Sequence, residues 1–503
     1  MRALVVAVLA VAGCHQNEDP PCQCGTGTTP SDLSCNEVSN HCEGGFTVVG
    51  HSDLFGRGQN AALTIAGTTA YVGSRTDGFH QDPGVVILDI ADPSNPTPVG
   101  MIGPPEEGVI GVSPVELRAV PNKNLLVVMN SVCDPGTNDC GFDLTLFPDT
   151  GGVAETANLK FYDITDPRTP RRVGIFDFGF HPHVGDVRSN PHEMFIWEDP
   201  VNVGRVLVYV TALPGDPNLR VIDVSDPANP TLIATWDTFQ QTGLPRQFLE
   251  SLHSLSVSPD GRTAYLAHLG TGFFMLDTSE VADNMPSPLI DFLTPYAGRI
   301  DYSPPVGPVT HSAVKLPNRD VVVITDEGLP YPFDGGCPWG YAATIDISNP
   351  LMPRFFERTV RNPSNTGDDI ITEGLIRLPA NVAETCPPKQ LQDRIAISAH
   401  NPTVTDDLLF LAYYSGGLQV FQLTDVRNPV QVAAFYPEPI TTVAMEDPQF
   451  GGYPSAVWSY PIIQDGLVYV VDIRNGLYVL RYDGPLAETV QPIAHLEGNS
   501  NLR

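Results

Sequence analysis

One phrase of sequence recurs along this chain and limits what it can fold into. LRVIDVSDPANPTLIA, from Leu219, reads as a strand, a tight turn and a second strand. Val and Ile favour the pleated conformation. Asp226-Pro227 then breaks the run, because aspartate bonds its own backbone two residues on and proline fixes φ. Pro230 opens the next strand, where its missing N–H costs little. Close copies begin at Val85 (VVILDIADPSNPTPVG), Leu159 (LKFYDITDPRTPRRVG), Tyr341 (YAATIDISNPLMPRFF) and Leu418 (LQVFQLTDVRNPVQVA). Weaker ones begin at Phe273 (FFMLDTSEV) and Leu477 (LYVLRYDGP), which makes seven. Spacing of roughly 60 residues marks a repeat architecture, and repeated units that need their neighbours form one body rather than several domains.

Each repeat carries four strand candidates, A to D, of which the recurrent phrase is C and D. The A candidates start at Ala62, Val115, His192, His253, His311, His400 and Ser459. Pro259-Asp260-Gly261, Pro121-Asn122, Pro317-Asn318 and Asp465-Gly466 are hairpin signals between A and B. Seven four-stranded units predict an all-β, seven-bladed β-propeller, which repeats sheets radially while protecting their edges. No segment has a long 3.6-residue apolar period, so helix should be scarce. FTVVG, from Phe46, is a D strand without a blade, expected at the outer edge of blade seven, where it closes the ring. The last blade's own D candidate is Pro492–Glu497, and which of the two is outermost stays open.

The V-x-D-[IV]-x-D-P-x-x-P text, with an AYV- or VYVV-type strand before it, resembles the LVIVD-repeat proteins of bacterial and archaeal cell surfaces. The resemblance covers about residues 60–485. It implies a β-propeller and no settled activity. Blades four and seven depart from the turn motif.

The N-terminus and the cysteines speak for the cell envelope. Arg2 followed by ALVVAVLAVAG reads as a signal peptide, too short to span a bilayer as a helix. Val11-Ala12-Gly13-Cys14 resembles a bacterial lipobox. That resemblance implies cleavage before Cys14, lipidation of Cys14 and, with His15 rather than Asp next, an outer-membrane address. The expected layout is a signal peptide at 1–13, a lipidated Cys-rich tether at 14–45 and the propeller at 46–503. Nine cysteines less Cys14 leave an even number, as an oxidising compartment favours. Cys133 and Cys140 flank a turn-like loop and are expected to pair, leaving Cys337 for Cys386. Cys22, Cys24, Cys35 and Cys42 suit a small disulfide knot or, alternatively, a zinc site. A net charge of −31 repels phosphate backbones, and no basic, aromatic-interleaved patch exists, so nucleic acid is not an expected partner. The expected partners are the membrane, through the lipid, and a ligand the sequence does not name.

In a propeller the A strands line the central channel. Four of them, in consecutive blades, begin with His192, His253, His311 and His400, and Glu116 lies within one residue of the equivalent place in blade two. Two uses fit. The imidazoles could converge on a transition metal, iron, copper or zinc, with Glu116 as a supporting carboxylate or base. Alternatively they could hydrogen-bond neighbouring blades and serve packing alone. The layout is similar to carotenoid-cleavage oxygenases, which hold iron with four histidines on a propeller axis, and to selenium-binding-type methanethiol oxidases. The likeness is of arrangement only. The face where A strands begin also receives the long B–C and D–A connections, and elaborate loops on a rigid scaffold carry function. His181, His183, His268, Asp326, Glu327 and Asp472 are the candidates there. Asp89, Asp163, Asp223 and Asp346 repeat with the turn and read as structural. No G-x-S-x-G, Walker A or H-E-x-x-H motif occurs. The chain therefore reads as a binding or scaffold module or, alternatively, as a metal-dependent oxidase or hydrolase.

Overall fold

The computed structural model describes residues 34–36, 41–76, 80–103, 112–132, 157–179, 190–212, 217–242, 252–294, 309–328, 339–361, 368–382, 395–447, 449–450 and 452–501. It is a seven-bladed β-propeller of four-stranded antiparallel blades. The A strands of blades one to seven are Asn60–Ala66, Val112–Val120, Pro191–Glu198, Leu252–Val257, Thr310–Lys315, Pro402–Val404 and Ile462–Gln464. Successive A strands neighbour one another, and that of blade seven returns to that of blade one. Helix among the described residues is confined to short turns such as Thr238–Thr242 and Ala487–Val490. No helix there is long and apolar enough to cross a membrane. The signal segment, Cys14, Cys133, Cys140, Cys337, Cys386, His181 and His183 lie outside the described residues. Ahead of the propeller, Ser34–Asn36 pairs with His41–Glu43, with Cys35 opposite Cys42 in the backbone register.

The ring closes through Phe46–Ser52, which pairs antiparallel with Gly476–Tyr482 as the outer strand of blade seven. Phe46 packs edge-on against Tyr482 and Phe435, bridging blades seven and six. Pro492–Glu497 therefore does not supply the D strand. With that edge taken, His495–Leu496 pairs instead with Ile463–Gln464, on the channel side of the blade.

The recurrent turn explains how blades dock. Asp92 Oδ1 accepts the Ser94 N–H at 3.0 Å, and its carbonyl accepts the Asn95 N–H at 3.0 Å. Asp226 repeats the pattern with Ala228 and Asn229. Asp89, Asp163, Asp223 and Asp346 each accept the N–H two residues on, at 2.8–3.0 Å, so they shape the turn. The finished turn seats on the D strand of the preceding blade where that strand carries glycine. A Cβ on Gly50 would lie 2.1 Å from the Pro93 carbonyl oxygen, and one on Gly174 would lie 1.9 Å from that of Pro227. Between the blades run apolar layers such as Phe195, Trp197, Tyr209, Leu255, Leu266 and Phe274.

Nearer the axis, hydroxyls fasten each blade to the next. Thr211 Oγ1 donates to the His253 carbonyl at 2.7 Å, Ser254 Oγ to that of His311 at 2.5 Å, and Thr325 Oγ1 to that of His400 at 2.9 Å. The blades are thus locked through the backbone of the histidines, which leaves their side chains available.

Candidate metal centre

The first residues of each A strand are irregular. The A–B register slips between Pro191 and Met194, between Leu252 and Ser254, and between Thr310 and Ser312. In blade six, Ala412 bonds both His400 and Asn401. These are β-bulges, and a bulge redirects a side chain out of the strand's alternation. The bulged residues include His192, His253, His311 and His400, and the bulges bring all four imidazoles together near the axis. Consecutive ring centroids lie 4.2, 3.9 and 4.2 Å apart. His192 Nε2 is 2.7 Å from His253 Nε2. Glu327, at the end of blade five's B strand, brings Oε2 to 3.9 Å from His253 Nε2 and 3.8 Å from His311 Nε2. Ligand atoms of His253, His311 and Glu327 all lie within 4.8 Å of one another.

The outer ring nitrogens are partly tied back. His400 Nδ1 lies 2.8 Å from the Trp458 carbonyl, which only accepts, so that nitrogen carries the hydrogen and Nε2 keeps its lone pair. His311 Nδ1 meets Ser312 Oγ at 2.8 Å, and Ser312 Oγ lies 3.4 Å from the Tyr460 hydroxyl. Such second contacts orient imidazoles that hold metals. His253 Nδ1 has no hydrogen-bond partner among the described residues.

Burial keeps the imidazoles neutral. It pushes His192 down to about 3, with Arg75 adding to the effect. His253, His311 and His400 are held well below the ordinary histidine value, by burial first and by neighbouring histidines next. Glu327 moves the other way, up to about 7, because burial outweighs the Tyr414 hydrogen bond and the Arg75 charge. Tyr414, on the B–C turn of blade six, donates its hydroxyl hydrogen to Glu327 Oε1, and its ring lies 4.5 Å from that of His400. It takes φ +48°, rare for an aromatic residue. Reciprocal backbone bonds with Val457 hold it there. Arg75 binds Asp447 at 2.6 Å and Gln449 at 3.1 Å, from the connection that folds across between blades six and seven.

The donor set fits a first-row metal. Nitrogens at about 2.0–2.1 Å from an ion, at right angles to each other, stand about 2.9 Å apart, close to the His192–His253 spacing. On the same right-angle spacing Glu327, now 3.8–3.9 Å from the nearest imidazole nitrogens, would have to move inward by roughly 1 Å to join them. Neutral imidazole with one carboxylate suits zinc, copper, iron or nickel.

The remaining candidates stand apart from this group. Glu116 is deeper in the channel than the sequence spacing implies, because the blade-two strand begins at Val112 and Glu116 pairs with Met129, as Met194 pairs with Val210. It lies 2.8 Å from Arg118, and burial raises its carboxyl. His268 Nδ1 meets the Leu269 carbonyl at 2.8 Å. Asp326 is buried and its carboxyl is pushed well up by burial. Asp472 accepts the Ala456, Arg474 and Asn475 N–H groups at 2.7–2.9 Å and so builds a turn. Arg75 and Tyr414 were not among the sequence candidates. Arg75, directly after blade one's B strand, holds the position that singled out Glu327, and the same rule applied to blade one would have found it; Tyr414, two residues past the B strand of blade six, gave no such signal.

Solved structures similar to this chain share little sequence with it. The β-propeller domain of Myceliophteria thermophila Cps50 (Swd1) is 10% identical over 87% of this chain and 98% of that one, with a TM-score of 0.43. Chaetomium thermophilum Sqt1, bound to the N-terminus of ribosomal protein L10, is 14% identical over 86% and 89%, at 0.42. The periplasmic gluconolactonase PpgL of Pseudomonas aeruginosa is 12% identical over 84% and 95%, at 0.45. No curated protein matches the chain. The model of the LVIVD repeat matches residues 58–102 and 209–238, in blades one and three, so this propeller is one that carries LVIVD repeats.

Proposed function

We propose that this protein holds one first-row transition metal ion at the axial imidazoles of blades three to six and works as a metal-dependent enzyme, an oxidase or a hydrolase. One observation carries the reading: four imidazoles from successive blades, kept neutral by burial, stand ring to ring beside the carboxylate of Glu327. Pure packing gives no reason for this, since the hydroxyl clasps between blades use the histidine carbonyls. His192, His253, His311 and His400 would hold iron, copper or zinc, and the ion would act as a Lewis acid or redox centre. Glu327, poised near neutrality and bonded to Tyr414, suits a carboxylate that gives or takes a proton there.

A second reading is a binding module that presents its loop-rich face to a partner. It is favoured by the connection across blades six and seven, which lays Asp447 on Arg75 and Phe450 on Tyr414 beside the imidazoles. The lipobox-like Cys14 and the even cysteine count support display at the cell envelope, anchored by lipid to the outer membrane.

Elemental analysis of tag-free protein tests the metal reading, with a His253→Ala, His311→Ala double variant as control. About one equivalent of iron, copper or zinc in the parent and a loss in the variant are expected. A folded parent that takes up no stoichiometric transition metal, even after reloading, overturns it.

A further inference from the structure

The segment after blade seven runs into the channel rather than around it. His495–Leu496 pairs with the channel-facing edge of Ile463–Gln464 in blade seven. Three residues later the chain lies against the A strand of blade three. There the Ile196 N–H donates to the Asn499 carbonyl at 3.3 Å and the Asn501 N–H to the Ile196 carbonyl at 3.1 Å, while the Glu198 N–H donates to Asn501 Oδ1 at 3.1 Å. Blades three and seven face each other across a ring of seven. An extended span of three residues covers roughly 10 Å, so the crossing from one inner wall to the other is short.

Gly498 marks the crossing. A Cβ there would lie 2.1 Å from the Pro402 carbonyl oxygen and 2.7 Å from the Tyr460 ring. Pro402 is two residues past His400, so the crossing passes roughly 7 Å from the imidazole tier, on the side away from the loop-rich face. Glu497, Gly498 and Asn499 are buried. Glu497 Oε1 accepts the Ser500 hydroxyl hydrogen within the segment, and its charge is felt by Arg118, which pairs with Glu116 at 2.8 Å.

The crossing segment has no apolar side chain: it reads Glu-Gly-Asn-Ser-Asn after Leu496. Several of its buried polar atoms, Glu497 Oε2, both ends of the Asn499 amide and Asn501 Nδ2, lack hydrogen-bond partners among the described residues. A segment so held loses little apolar burial on leaving and gains water for those atoms. We propose that residues 497–501 are a polar plug, which closes the channel beneath the imidazoles and detaches while the propeller stays folded. The plug makes the channel blind, so a ligand reaches the axis from the loop-rich face alone unless the plug leaves. This inference stands whether or not the imidazoles hold a metal.

Hydrogen–deuterium exchange of the full chain, read by mass spectrometry, tests the detachment. Amides of 495–501 should exchange at least tenfold faster than those of Leu252–Val257, the A strand of blade four. Methylglyoxal, which modifies arginine, tests the closure. Arg118 should react at least fivefold faster in a chain ending at Ala494 than in the parent, with the exposed Arg168 as internal reference. Plug amides that exchange as slowly as Leu252–Val257 overturn the proposal. So does an Arg118 reactivity equal in the parent and in the folded chain ending at Ala494.

Discussion

His192 and His253, from adjacent blades, face each other with their Nε2 atoms 2.7 Å apart. Two neutral imidazoles can sit so only if one lends a hydrogen to the other, or if both turn their lone pairs on a common cation. The second arrangement predicts that His253→Ala and His311→Ala each weaken metal binding by more than about 100-fold, beyond the loss from second contacts alone. His268→Ala should leave it unchanged, because that imidazole is spent on the Leu269 carbonyl. Competition against a chelator of known affinity checks all three.

The pH dependence of binding should carry the mark of a carboxylate rather than of histidine. Burial holds His192 near 3 and the other three imidazoles well below their ordinary value, so they need lose no proton at neutral pH. Glu327 is raised to about 7, so below that pH the ion must displace its proton. Affinity should therefore fall about tenfold per pH unit from 7 to 5 and level off above about 8. An ordinary exposed histidine site would fall more steeply below about 6.5. Glu327→Gln should flatten the curve. A slope of two or more in the parent would show that the imidazoles titrate.

Tyr414 links the two halves of the site, its ring tilted against that of His400 and its hydroxyl donating to Glu327. Its hydrogen bond favours the ionised carboxyl. Tyr414→Phe should push Glu327 further up and move the midpoint of the binding curve to higher pH. At pH 7 the affinity should drop by about tenfold, the low end for a contact that orients a metal ligand. A variant with the parent's midpoint would mean that the hydroxyl plays no part in holding Glu327.

Much of this was legible in the chain because the repeat writes each local rule several times. Asp92 and Asp226 make the same turn in different blades, so the strand–turn–strand phrase and the blade count follow from spacing alone. The row of A-strand histidines was legible for the same reason. The deeper placement of Glu116 was not, because a bulge alters register without altering composition. Tyr414 escaped because its value lies in a left-handed turn pinned by Val457, a partner more than forty residues away. The path of residues 497–501 escaped because a polar stretch carries no periodicity to assign it to a surface or a channel.

Glycine in the D strands offers the sharpest test of how the blades dock. A Cβ at Gly174 would lie 1.9 Å from the Pro227 carbonyl oxygen, a backbone atom in the recurrent turn of the next blade. Neither partner can give way without moving a whole turn. Gly174→Val should cost about 2–3 kcal/mol, the range for forcing bulk into a packed contact. Gly100 holds the matching place in blade one, yet the nearest atom to its Cβ would be Arg168 O at 3.4 Å, ordinary van der Waals distance. Gly100→Ala should change stability by less than about 1 kcal/mol, and loss of backbone freedom in the unfolded chain favours the variant. Denaturant midpoints of both variants, measured with the parent, check the contrast. Equal shifts would mean that the turn of blade three does not rest on Gly174, and that the recurrent V-G pair of the D strands has another cause.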